Sequence, residues 1–169
     1  MCIKDIYKEF TRLSEYTSSL GLLGLRLILA YTFFAPAMLK WNDIGAVAQW
    51  FEYMGIPFPT LNAYMAAGTE MAGVVLLTLG LLTRFISIPL IVIMFIAIAT
   101  VHGQNGFAFV NEAVSFSDAY VNGTLVEGTI IQLQNGYELV LYYTLMLLVL
   151  VGNGAGYFSA DRLIFGEKN

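Results

Sequence analysis

Five ionisable side chains lie inside or at the ends of long apolar stretches of the sequence: Arg26, Lys40, Glu70, His102 and Glu138. Glu70 is the most unusual of them, because it lies within the small and apolar stretch AAGTEMAG. An unpaired ion at the centre of a bilayer costs several kcal/mol. Small residues on the same helical face let a second helix approach closely. We therefore expect Glu70 to face the interior of a helix bundle.

Arg26 is the partner that the sequence predicts for Glu70. It lies about 9 Å above the inner end of its own apolar stretch, which leaves a vertical gap of roughly 8 Å to Glu70. A long arginine side chain can nearly cross such a gap. The alternative for Arg26 is that its side chain extends to the inner membrane interface.

Lys40, His102 and Glu138 each lie at the predicted external end of an apolar stretch, so we expect them to converge on one shallow pocket above Glu70. An imidazole beside carboxylates exchanges protons near neutral pH. This set predicts Glu70, His102 and Glu138 as proton-handling catalytic residues. The alternative is that they are interfacial residues in contact with water and headgroups, and Lys40 taken alone fits that alternative better.

The composition indicates a membrane protein. The chain has 169 residues, of which 58% are hydrophobic and 12% are charged, whereas about a quarter of the residues in a soluble domain are charged. There is no basic cluster suited to nucleic acid. A single cysteine and a single histidine exclude a disulfide, a four-cysteine site and bis-histidine haem ligation within this chain. We expect no haem, iron–sulfur cluster or structural metal from this chain alone.

Four stretches approach the roughly 20 apolar residues that a membrane-crossing helix needs. They cover about residues 20–40, 61–82, 85–102 and 137–152. We therefore predict a single domain over 1–169, an all-α integral membrane protein built as a four-helix bundle. Apolar residues at three-to-four spacing in residues 1–19 predict an amphipathic helix on the membrane surface.

Lysine and arginine set the predicted orientation. They occur in the leader, at Arg84 between the second and third stretches, and in the tail 153–169. Both termini should therefore be cytoplasmic, in a bacterial inner membrane. External segment 41–60 predicts an interfacial helix followed by a proline-containing turn. Segment 103–136 predicts a small β-hairpin, with Asn122 and Gly123 at its turn.

Several motifs resemble the DoxX family of bacterial four-helix membrane proteins. The first stretch reads LRLILAYTFFAPAMLKW, the second has a mid-helix glutamate and ends in GLLTR, and the third continues into HGQNGF. The most specific part is the closing pattern of Gly154, Gly156, Ser159 and Asp161. Apart from any family, these glycines and the two side chains after them predict a helix end and a cap on the following turn. The resemblance covers about residues 20–165, and segment 103–136 is longer than in the shortest family members.

The family includes small DoxD-type subunits assigned to thiosulfate:quinone oxidoreductase, so the resemblance implies a quinone-linked redox subunit. It implies a quinone head group bound by Arg26, Lys40, Glu70 and His102, with Glu138 positioning His102. The alternative is a non-catalytic scaffold or accessory subunit that recruits a partner protein. A small-solute or proton pathway is a third interpretation, which would call for a homo-oligomer.

Overall fold

A computed structural model describes residues 3–108, 110–121, 124–133 and 136–166. It divides into two compact units, Met1–Ile93 with Tyr143–Asn169, and Met94–Tyr142. The chain is mainly helical. The helices are α1 (Ile3–Asn42), α2 (Ile44–Tyr53), α3 (Pro59–Leu79), α4 (Thr83–Ala97), α5 (Glu138–Asn153) and α6 (Ala160–Phe165).

Helices α3, α4 and α5 coincide with the last three predicted stretches to within a few residues, whereas α1 contains the first stretch but already begins at Ile3. Among the described residues, two helical segments are long and apolar enough to cross a membrane, Thr17–Asn42 and Thr83–Asn105. Glu138–Asn153 is a shorter apolar helix. The crossing of all four helices therefore remains a prediction.

The helix does not break where the predicted surface leader meets the first predicted membrane span. Residues Ile3–Asn42 form one continuous helix of 40 residues. Serine and glycine near the expected boundary lower helix propensity by about 1 kcal/mol or less per residue, which does not interrupt a long helix. Segment 41–60 contains α2. Pro57 lies between α2 and α3, and Pro59 is the first residue of α3.

The core of the first unit combines fully buried leucines with small residues. Leu29, Leu77 and Leu147 have no exposed surface, and neither do Ala63 and Ala67 on α3. The two alanines lie four residues apart on one face of the helix, and α1 packs against α3. Short side chains at this spacing allow two helix backbones to approach closely.

The second unit contains the end of α4 and the segment that follows it. After Ala97 the helix continues as a π-helical turn, Ile98–His102, and then a 3₁₀ turn, Gly103–Asn105. Two antiparallel strands follow, β1 (Val110–Val121) and β2 (Thr124–Leu133). Val121 pairs with Thr124 and Val110 with Leu133. The predicted turn residues Asn122 and Gly123 lie outside the described residues.

Candidate functional site

The ion pair that the structure forms at Glu70 is with Lys40. The Lys40 Nζ donates to Glu70 Oε1 at 2.9 Å and to Oε2 at 2.7 Å. The Glu70 side chain is 4% exposed and that of Lys40 is 18% exposed. The burial of Glu70 agrees with the prediction that its side chain faces other helices. An ammonium group that contacts both carboxylate oxygens offsets much of the desolvation cost of that burial.

The location of Lys40 within α1 explains this contact. α1 continues to Asn42, so Lys40 lies in the last turn of a regular helix. α1 and α3 pack together, which lets Lys40 reach across to Glu70. Lys40 therefore binds Glu70 within the protein instead of contacting only water and headgroups, and its location at the membrane interface stays a prediction.

Arg26 does not pair with Glu70, so the prediction of Arg26 as the partner of Glu70 is wrong. The Arg26 guanidinium is fully buried, and its Nη2 donates a hydrogen bond to the carbonyl oxygen of Phe158. Its charge also interacts with Asp161. Among the described residues, Arg26 Nε and Nη1 have no hydrogen-bond partner. Arg26 therefore stabilises the packing of the C-terminal segment against α1.

Asp161 connects α6 to the beginning of α4. Its Oδ1 accepts from Leu82 N at 2.6 Å and its Oδ2 accepts from Thr83 N at 3.0 Å. The backbone N–H of Asp161 donates to the carbonyl of Gly80 at 2.9 Å. Ser159 caps α6, because its hydroxyl accepts from Arg162 N. The capping role predicted for Ser159 is confirmed, whereas Asp161 caps a helix distant in sequence.

His102 and Glu138 belong to the second unit. His102 is the last residue of the π-helical turn Ile98–His102. Glu138 is the first residue of α5, and its Oε1 accepts a hydrogen bond of 2.6 Å from the hydroxyl of Tyr142 one turn later. Tyr142 is the functional candidate that the sequence interpretation missed, although its four-residue spacing from Glu138 could have indicated it.

The two helices that form the ion pair also carry an aromatic pair in the first unit. Trp41 follows Lys40 on α1, and its ring meets the ring of Tyr64 from α3 edge to face, with centroids 6.3 Å apart. Both rings are about half exposed, at 44% and 51%. Lys40, Glu70 and these rings together present a cation, a carboxylate and flat apolar surface on the same two helices. Among the described residues, no group of three histidine, cysteine or acidic residues could hold a metal.

Comparisons with known proteins find a matching family model and similar proteins in two bacteria. The family model for DoxX matches residues 21–103. An uncharacterized protein of Haemophilus influenzae is 30% identical over 151 residues, which are 87% of this chain and 85% of that protein. A Bacillus subtilis protein named "Putative oxidoreductase CatD" is 33% identical over 82 residues, which are 48% of this chain and 60% of that protein. No solved structure matches the chain significantly.

Proposed function

We propose, because this chain belongs to the DoxX family of membrane proteins, that it is a quinone-linked oxidoreductase subunit with its site at Lys40 and Glu70. The observation that carries the proposal is the buried ion pair between these residues. Burying an ion pair carries a desolvation cost. We therefore expect this pair either to stabilise the fold or to take part in the movement of charge. The oxidoreductase name of the Bacillus subtilis relative favours the second role.

The ion pair and the aromatic pair on the same two helices offer groups that suit a quinone head group. An ammonium group has three N–H donors, and Lys40 directs two contacts to Glu70. A third donor is left for a carbonyl oxygen, and the partial exposure of Lys40 lets a ligand reach it. The rings of Trp41 and Tyr64 offer apolar surface to a flat ring system. When bound, a quinone would supply the two-electron acceptor of the reaction.

Glu70 is the proposed proton-holding group. Its carboxylate is nearly inaccessible to water, so a proton reaching it has to come from the ligand or from Lys40. Lys40 compensates its negative charge while it is ionised, because opposite charges attract strongly where water is excluded. Lys40 therefore orients the ligand and Glu70 takes or releases the proton that accompanies electron transfer.

His102 and Glu138 are proposed as further proton-handling residues, as the sequence predicts. Tyr142 donates to Glu138 and thereby fixes the orientation of its carboxylate. The electron donor that the family resemblance suggests is a reduced sulfur compound or a partner protein. We also propose a four-helix arrangement in the bacterial inner membrane with both termini in the cytoplasm, in line with the distribution of lysine and arginine.

The test is to measure bound quinone by mass spectrometry after purification in native lipid discs. Wild-type protein, Glu70→Gln and His102→Ala are compared with Glu52→Gln. The control makes the same chemical change at an exposed glutamate on α2. We expect near-stoichiometric quinone in the wild type and in Glu52→Gln, and quinone at the level of bulk lipid in the other two.

Quinone at the level of bulk lipid in all four proteins would reject the proposed site. If Glu70→Gln then also lowers the unfolding temperature, the ion pair serves the fold, and the chain functions as a scaffold or accessory subunit. Co-purification of a partner protein with both the wild type and Glu70→Gln would support that second function.

A further inference from the structure

A pocket of about 190 Å³ lies in the first unit where α3 ends and α4 begins. Its lining consists of Leu82, Arg84, Phe85, Asp161 and Phe165. Asp161 is buried, whereas the Phe85 and Phe165 side chains are 72% and 60% exposed. The pocket therefore combines a polar floor with aromatic walls that open to the outside of the helices.

The charge available to a ligand in this pocket is positive. Asp161 is the acidic residue in the lining, and its two carboxylate oxygens already accept from the backbone of Leu82 and Thr83. Its charge also faces the buried Arg26. Arg84 is exposed and makes no ion pair with another described residue. A ligand entering the pocket therefore meets a free guanidinium and a neutralised carboxylate.

A second arginine lies at the same end of this unit. Arg162 follows Asp161 on α6, and its Cζ lies 3.5 Å from the centre of the Tyr157 ring. This stacking fixes the guanidinium of Arg162 over the ring, outside the lining of the pocket. Arg162 therefore adds to the local positive potential, and Arg84 is the group that can bind a ligand directly.

We propose that this pocket binds an anionic phospholipid, with its phosphate at Arg84 and an acyl chain along Phe85 and Phe165. Basic pockets beside membrane helices bind phospholipid headgroups through this combination of charge and apolar surface. A guanidinium donates to phosphate oxygens in a geometry that matches them well. The exposed aromatic walls favour a lipid over a free anion, because an inorganic phosphate gains nothing from apolar contact.

The proposed lipid site shares no residue with the Lys40–Glu70 site, so it holds or fails independently of the redox proposal. The experiment reconstitutes the full chain in discs of phosphatidylcholine with a minor fraction of phosphatidylglycerol. The protein is then released and its bound lipids are counted by native mass spectrometry. Wild type and Arg84→Gln are compared with Lys8→Gln, which removes one positive charge from an exposed residue of α1.

We expect wild type and Lys8→Gln to retain phosphatidylglycerol in preference to phosphatidylcholine. Arg84→Gln should lower this retention about fivefold, since one arginine near a membrane surface contributes about 1 kcal/mol. Phe165→Ser should also lower it, whereas Leu163→Ser should not, because Leu163 is 89% exposed and is not in the lining. This pair of variants separates a lost lipid chain contact from a general loss of apolar surface.

Equal retention of phosphatidylglycerol by Arg84→Gln and Lys8→Gln would overturn the proposal. A separate titration of the protein in detergent micelles with inorganic phosphate tests whether the pocket binds a free anion instead of a lipid headgroup. Arg84-dependent binding of inorganic phosphate without any preference for phosphatidylglycerol would make this a site for a free anion, and would also overturn it. The unfolding temperature of each variant is measured in parallel. Because Arg84, Phe165 and Leu163 are exposed, we expect all variants to stay folded.

Discussion

Lys40 and Glu70 lie 30 residues apart and join α1 to α3 through one ammonium group that contacts both oxygens of one carboxylate. The two partners differ in burial, since the Lys40 side chain is 18% exposed and the Glu70 side chain 4%. The long lysine side chain can turn towards water when its partner is lost. The shorter glutamate side chain cannot turn towards water in this way, so the loss of stability should differ between removing the lysine and removing the glutamate.

We expect Lys40→Met to destabilise the protein more than Glu70→Gln does. Lys40→Met leaves a buried carboxylate without its counter-charge, which costs about 3 kcal/mol or more. Glu70→Gln leaves a lysine that reorients, so we expect a loss of about 1 kcal/mol. Thermal unfolding in lipid discs, followed by tryptophan fluorescence, measures both. The double variant should be more stable than Lys40→Met alone, because it restores electrical neutrality.

Glu52→Gln is the control for this series, since Glu52 is exposed on α2 and surface substitutions change stability by about 0.5 kcal/mol or less. Equal losses for Lys40→Met and Glu70→Gln, or strictly additive losses in the double variant, would contradict an ion pair with unequal partners.

Gly80 separates α3 from α4 and leaves no space for a side chain. Its φ is +65°, and an added Cβ would overlap Nη1 of Arg26 while lying 2.7 Å from the Arg26 Cζ and 2.8 Å from the Ser159 Cβ. Arg26 is fully buried, so it cannot move aside cheaply. We expect Gly80→Ala to cost about 3 kcal/mol, from the left-handed backbone and the overpacking together.

Gly68→Ala is the matched control for Gly80→Ala. Gly68 lies within α3, and an added Cβ there meets nothing within 4 Å. Alanine is favoured over glycine in a helix by about 1 kcal/mol, so Gly68→Ala should raise the unfolding temperature slightly. Similar unfolding temperatures for the two variants would show that Arg26 does not pack against Gly80 as described.

The sequence was sufficient to predict the helices and the burial of Glu70, because these depend on local composition and periodicity, and its motifs carried the resemblance to the DoxX family. It was not sufficient to choose between Arg26 and Lys40 as the partner of Glu70. That choice depends on the axial offset between α1 and α3, which side-chain packing along both helices determines. A prediction from depth alone therefore favoured Arg26, whose side chain instead contacts Phe158.

The contacts of Asp161 could not be predicted from its neighbours in sequence, for the same reason. Its nearest sequence neighbours suggested a cap on the short helix α6, which Ser159 provides. The groups that Asp161 binds, Leu82 N and Thr83 N, are 79 and 78 residues away. Long-range contacts of this kind become visible only when the C-terminal segment is placed beside the start of α4.

Asp161→Ala should therefore destabilise the protein more than Ser159→Ala. Asp161→Ala leaves two backbone N–H groups at the start of α4 without acceptors and removes a charge that faces Arg26, for a loss of about 3 kcal/mol. Ser159→Ala removes one cap and should cost about 1 kcal/mol. Asp161→Asn keeps one acceptor, so its unfolding temperature should fall between the two. A larger loss for Ser159→Ala than for Asp161→Ala would contradict this order.

A π-helical turn, Ile98–His102, precedes Gly103 and has His102 as its last residue. The backbone N–H of Gly103 donates to the carbonyl of Ile98, and an added Cβ on Gly103 would lie 2.7 Å from that carbonyl oxygen. Such a contact is too short for any residue other than glycine. π-helical turns occur often at functional sites, where they change the register of the residues that follow.

We expect Gly103→Ala to convert this turn into an ordinary helical turn and to rotate His102 by about 100° around the helix axis, the rotation that corresponds to one residue. His102 is the single histidine in the chain, so its imidazole gives one set of nuclear magnetic resonance signals. Gly103→Ala should shift these signals and change the rate at which diethyl pyrocarbonate modifies the ring. Gly24→Ala is the control, since an added Cβ at Gly24 in α1 meets nothing within 4 Å. Unchanged imidazole signals and modification rate in Gly103→Ala would show that the π-helical turn does not position His102.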